Sequence, residues 1–235
     1  MLPAVHLRSA VALAGRFPAL SGVDLTVAAG EVVVVLGPNG AGKTSLLRTC
    51  AGLLTVTSGQ AEVLGEDLRQ DPTNVRLRVG LLGHAAPLYD ELTAAENVRF
   101  AVRAARLPVT RVDAALERLG MVGRLRRTPV GRLSAGQRRR VALAALVARA
   151  PDLWLLDEPH AGLDAATRRL LADLVEEAAR SGAAVLFSSH EPDLAVPLAD
   201  RSVTMSGGRV AGECRGGRRP ALSAVPPSSR AADVA

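Results

Sequence analysis

EVVVVLGPNGAGKTSLLRTC, residues 31–50, joins four consecutive valines to a glycine-rich turn and then to a run with helical spacing. Four apolar residues in a row leave no solvent face, so Val32 to Val35 are expected in a strand covered on both sides, as in a parallel sheet. The turn GPNGAGKT (37–44) fits G-x-x-x-x-G-K-[ST] and stands between strand and helix, the setting that this pattern requires. Gly37, Gly40 and Gly42 let the backbone wrap so that its N–H groups face a phosphate, with Pro38, Asn39 and Ala41 completing the loop and Ser45 following it. Lys43 supplies a compact positive charge for the outer phosphates, and Thr44 a hydroxyl for Mg²⁺. Among 29 lysines and arginines, Lys43 is the single lysine. An arginine's planar fork is a poor substitute for an ammonium held between two phosphates.

Downstream stretches carry matching chemistry. LWLLDE (153–158) is a buried strand ending in carboxylates. There Asp157 is placed to hold Mg²⁺ and Glu158 to deprotonate an attacking water. An acidic pair that merely capped the next turn would leave the phosphate loop unexplained. AAVLFSSH (183–190) reads as another strand, and His190 at its C-terminal end lies where ligands of parallel sheets bind. LSAGQ (133–137) opens a helix with small residues, so its N–H groups and the Ser134 hydroxyl can approach a phosphate closely.

Helix ends are marked by their caps. Thr93 with Glu96 and Ser134 with Gln137 have capping-box spacing. Pro108 stops the first of these helices, Thr110 is a candidate cap for the next, and Gly120 closes that one. The fold class is therefore α/β, with an inserted helical subdomain at about 85–150, inside a domain spanning 1–213. Residues 214–235, rich in Arg, Pro and Ser, read as a flexible tail.

Composition removes other classes. Hydrophobic residues make up 48% of the 235, which supports a full core, and aromatics only 2%, which leaves little for a base-stacking platform. Half of the +6 net charge lies after Glu213, in Arg215, Arg218, Arg219 and Arg230 against Asp233, so no nucleic-acid partner is expected. Cys50 and Cys214 have neither metal-site nor disulfide spacing, which suits a reducing compartment. No apolar run reaches the length of a membrane span. The arginines at 138–140 read most simply as a solvated helix face.

Together GPNGAGKT, LSAGQ, LWLLDE, AGLD (161–164) and His190, in this order, resemble the ATP-binding cassette (ABC) family over about residues 4–213. The resemblance implies a P-loop NTPase fold of ABC type, ATP and Mg²⁺ as ligands, and ATP hydrolysis that drives a separate integral membrane permease. It also implies a head-to-tail pair with a second copy or a homologous cassette. In such a pair Leu133, Ser134, Ala135, Gly136 and Gln137, matching the family's signature segment, would serve the partner's ATP and Asp164 would support the dimer contact. Lys43 and Thr44 would act in cis, with Asp157 on Mg²⁺, Glu158 as base and His190 on the γ-phosphate. The chain would sit peripherally on the cytoplasmic face of the inner membrane. Two positions depart from the family pattern: Ala135 replaces the usual Gly, and His84 stands where the Q-loop glutamine is usual. The stretch around His84, GH-x-x-P-L-Y-D-E-L-T-x-x-EN-x-R-F, with LSAGQ-x-RRVALA and Trp154, is similar to the haem-exporter ATPases of cytochrome c maturation. Exporters of drugs, lipids or polysaccharides are the alternative, and a soluble non-transport cassette a further one. For adenine stacking, Phe17 is the one aromatic nearby, and it reads equally as core.

Overall fold

The computed structural model describes residues 2–83 and 87–217. Strands β1 (Val5–Ala14), β2 (Phe17–Val27), β4 (Thr55–Val63) and β5 (Glu66–Asp67) form an antiparallel sheet in the order β2-β1-β4-β5. A six-stranded sheet has the order β10-β9-β3-β8-β7-β6. It is built from β3 (Val32–Leu36), β6 (Val79–Leu82), β7 (Leu153–Asp157), β8 (Ala184–Ser188), β9 (Arg201–Ser206) and β10 (Arg209–Arg215). All neighbours in it pair in parallel except β9 and β10.

The four valines of β3 explain the layering. Val32 and Val34 face one apolar cluster, with Trp154, Leu156, Val185 and Phe187. Val33 and Val35 face another, with Leu153, Leu155, Ala184 and Leu186. All four are fully buried, as a strand covered on both faces must be. The second cluster lies under α1 (Lys43–Cys50) and the antiparallel sheet, while the first lies under the remaining long helices.

Between β6 and β7 the chain is helical: α3 (Ala94–Ala104), α4 (Val112–Arg118), α5 (Gly123–Arg126) and α6 (Ala135–Arg149). Both expected capping boxes form, Thr93 with Glu96 on α3 and Ser134 with Gln137 on α6. Thr110 does not cap α4: it sits inside a 3-10 turn, Val109–Arg111, that runs straight into the helix, and no side chain caps that end. Gly120, at φ 68°, closes α4 as expected, since the left-handed conformation is free of cost only for glycine. The other helices are α2 (Thr73–Arg78), α7 (Ala165–Arg180) and α8 (Pro192–Ala195).

Strand β10 runs past the expected boundary at residue 213. It continues through Cys214 and Arg215, paired with β9. The Gly216 N–H then donates to the Asp200 carbonyl at 2.8 Å and that of Gly217 to Val196 at 3.1 Å. The sequence signal missed here is the alternation that Arg and Gly residues obscure on an exposed edge strand. Both cysteines are free, and burial pushes the Cys50 thiol up to about 12. No helix among the described residues is long and apolar enough to cross a membrane.

The cap on α3 has a measurable worth. Thr93→Ala removes the hydroxyl that accepts from the Glu96 N–H. It should lower stability by about 1 kcal/mol, seen as a lower urea midpoint with an unchanged slope.

Candidate active site

Strands β3, β7 and β8 run in parallel, so their C-terminal ends share one edge of the sheet, where ligands of such sheets bind. The phosphate loop leaves β3 there, Asp157 ends β7, and Ser188 to His190 follow β8. A cavity of about 590 Å³ opens at this edge, lined by the loop from Asn39 to Ser45 together with Asp157, Glu158, Gly207 and Gly208. The loop's path requires glycine at its ends. A Cβ on Gly37, at φ 143°, would stand 2.4 Å from the Met205 carbonyl oxygen, and one on Gly42 would crowd Ala19 and Gly208.

Lys43 is nearly buried, and its Nζ donates to the carbonyls of Gly37 at 2.8 Å and Pro38 at 3.1 Å. These are neutral acceptors, so they fix the ammonium beneath the loop without cancelling its charge. Thr44 Oγ1 donates to Asp157 Oδ2 at 2.8 Å, joining the first turn of α1 to the end of β7. The other carboxylate oxygen, Oδ1, accepts from Ser188 Oγ at 2.6 Å. That same Ser188 oxygen accepts from the Glu158 backbone N–H at 3.0 Å. Glu158 Oε2 in turn lies 2.7 Å from His190 Nδ1 and accepts from the His190 N–H at 3.2 Å. The five residues thus form one continuous polar chain, joined between Ser188 and Glu158 through the Glu158 backbone N–H. Glu158 adopts φ 47°, a left-handed conformation rare for a non-glycine residue and typical of strained functional positions.

The signature segment stands apart from this cavity. Leu133 is buried, Ser134, Ala135 and Gly136 are exposed, and none of residues 133–137 lines the phosphate-loop cavity. Asp164 caps α7 by accepting from the Thr167 N–H at 2.7 Å, which holds its carboxyl below the ordinary range. Phe17 is 78% exposed at the start of β2, so it is not core; it adjoins Pro18, which lines the cavity. His84 lies outside the described residues.

The arginines of α6 are not a solvated face. Arg138 pairs with Asp90 at 2.7 Å, Arg139 donates to the Gly83 carbonyl at 2.6 Å, and Arg140 donates to Thr167 Oγ1 at 3.0 Å. Two site residues were missed in the sequence. Ser188 is the node described above, and its only signal was the pair of serines before His190. His160, between Glu158 and Asp164, is buried edge-on to Phe187, with neither ring nitrogen bonded.

A glycine-rich loop at a helix N-terminus, backed by a Thr–Asp pair of hard oxygen donors and a carboxylate–histidine pair, defines a P-loop nucleotide-binding domain. The ABC transporter family model matches residues 20–161, more than half of the chain. The chain belongs to the ABC transporter family, and its fold is that of the family's ATPase cassettes. Three relatives bear on the subfamily. The cytochrome c biogenesis ATP-binding export protein CcmA of Cupriavidus pinatubonensis is 41% identical over 75% of this chain and 78% of its own length. The daunorubicin resistance ATP-binding protein DrrA3 of Streptomyces coeruleorubidus is 41% identical over 85% and 64%. The sulfate/thiosulfate import ATP-binding protein CysA 1 of Agrobacterium fabrum is 40% identical over 83% and 58%. The chain therefore spans less than two thirds of the latter two. Among solved structures, the dimeric post-hydrolysis state of the ATP-binding cassette MJ0796, bound to ADP and Pi, superposes with a TM-score of 0.79 at 27% identity, covering 92% of this chain and 99% of that one.

Burial holds the His160 imidazole below its ordinary pKa, partly opposed by the negative charges of Glu191 and Glu158. The unfolded chain therefore takes up a proton near pH 6.5 that the folded chain refuses, and stability falls as pH drops through that value. His160→Leu should flatten the decline in urea midpoint between about pH 7 and 5.5; an undiminished decline would assign it to other groups.

Proposed function

We propose that this chain hydrolyses ATP as the energy-supplying subunit of a transporter whose membrane permease is a separate chain, and that the transporter exports haem for cytochrome c assembly. The observation that carries the hydrolytic part is the unbroken polar chain from Thr44 through Asp157, Ser188 and Glu158 to His190. The phosphate-loop N–H groups and Lys43 hold the β- and γ-phosphates of ATP. Thr44 and Asp157, whose oxygens converge on one point beside that loop, fit Mg²⁺, which favours hard oxygen ligands and keeps phosphate oxygens as partners. Bound there, it neutralises developing phosphate charge. Glu158 takes a proton from a water whose oxygen forms the new bond to the γ-phosphorus as the bond to ADP breaks. His190 fixes the rotamer of that carboxylate through two contacts on one oxygen.

Separation of the signature from the phosphate loop supports head-to-tail pairing of two cassettes, in which residues 133–137 meet the partner's ATP. Phe17, exposed next to Pro18 of the cavity lining, is the residue we propose for the adenine contact. A permease fits a second surface, where Tyr89 and Phe100, each about half exposed, meet edge to face at 4.9 Å over an apolar cavity of about 340 Å³. Two of the chain's few aromatics exposed together favour a protein partner. The chain then works peripherally at the cytoplasmic face of the membrane. Haem rests on the sequence pattern around Tyr89 and on the CcmA relatives; drug export and sulfate import are the readings that DrrA3 and CysA support.

Glu158→Gln should reduce hydrolysis by about 10²-fold or more and trap an ATP-bound dimer on size-exclusion chromatography. Unchanged turnover would reject Glu158 as base. Lys43→Arg keeps the charge but enlarges the head group, and should also lose most ATPase activity. For cargo, the gene should restore haem-stained c-type cytochromes to a bacterium lacking its haem-exporter ATPase. Failure there, with daunorubicin resistance conferred instead, would move the assignment to drug export.

A further inference from the structure

Arg138, Arg139 and Arg140 occupy successive positions of one helix, so their side chains diverge by about 100° each and reach different neighbours. Arg138 pairs with Asp90, and Arg140 reaches Thr167 and Asp164. Arg139 turns inward. Its Nη1 donates to the Gly83 carbonyl at 2.6 Å, while its buried Nε has no partner. Strand β6 pairs with β7 in the register Leu82 opposite Leu156, which puts Gly83 beside Asp157 at the nucleotide edge of the sheet. The guanidinium is therefore a half-buried cation with a fully buried Nε, bonded to a neutral carbonyl on the Asp157 side of the sheet. Burial pushes its pKa below the ordinary value and Asp157 draws it partly back.

A buried cation with no bonded carboxylate is costly, and packing alone would favour an apolar residue. Arg149, on the same helix, half-buried and likewise with an unpartnered Nε, shows the structural use of such a side chain. It caps carbonyls of Arg76, Leu77 and Val79, and burial lowers its pKa. Arg139 instead bridges the signature helix α6 to the strand end next to the Mg²⁺-type carboxylate.

We infer that Arg139 is a positioning residue that links nucleotide binding at this chain's phosphate loop to the placement of its signature segment, and so to capture of the partner cassette's ATP. This rests on the head-to-tail reading above. It is tested in the Glu158→Gln background by the ATP concentration needed for half-maximal dimerisation, measured by light scattering, alongside ADP affinity. Adding Arg139→Ala should raise that concentration about tenfold, the worth of one charged hydrogen bond, while ADP affinity stays within about twofold. Arg139→Lys, which keeps the charge and one donor, should recover most of the loss. Arg139→Gln keeps a donor for Gly83 without the charge, disturbs packing least, and should shift the midpoint in the same direction. An unshifted midpoint in both the Ala and Gln variants, or an equal loss of ADP affinity, overturns the inference. If Glu158→Gln alone fails to dimerise with ATP, the head-to-tail reading fails first and the inference with it.

Discussion

Asp157 is the residue on which the site depends, because its two oxygens are committed to two different elements. One receives the Thr44 hydroxyl from α1 and the other receives the Ser188 hydroxyl from β8. The carboxylate is nearly buried, and a buried carboxylate is tolerated only when its lone pairs are satisfied. Satisfying them this way fixes the phosphate loop, the base-bearing turn and the histidine strand to a common point. Ser188 extends the constraint by accepting from the Glu158 backbone, so the position of Glu158 follows from the packing of strands rather than from a free loop.

Within one chain, the site gathers some of the expected residues and leaves others apart. Glu158, the phosphate loop and Asp157 line one cavity, and residues 133–137 do not line it. Ala135 and Gly136 in the first turn of α6 are exposed, and an exposed helix N-terminus with small side chains is suited to a phosphate brought by another molecule. The divergent arginines behind it show that this segment is braced from three directions, which a merely solvated helix face does not need.

Much of this was legible in the sequence because it depended on local rules. Four valines in a row specify burial on both faces, capping boxes mark α3 and α6, and the phosphate loop carries its glycines where the backbone demands them. What was not legible depended on packing at long range. Ser188 acquires its role only when β8 lies beside β7, and His160 is notable only because its surroundings offer it no partner. The partners of Arg138 to Arg140 come from three remote segments, so their charge pattern alone suggested a solvent face. The end of β10 was missed because an edge strand needs no apolar alternation on its exposed side.

Glu158 occupies a position where local folding and chemistry pull in opposite directions. Its left-handed backbone, immediately before Pro159, is one that glycine or asparagine would adopt with less strain. A sequence selected for stability alone would drift away from glutamate at this point. That the strained residue is also the one with an acidic side chain means the turn can be relaxed by glycine or asparagine only by giving up the carboxylate that meets His190. Stability engineering of this chain is therefore best directed elsewhere, to sites such as the uncapped start of α4, where no chemistry is at stake.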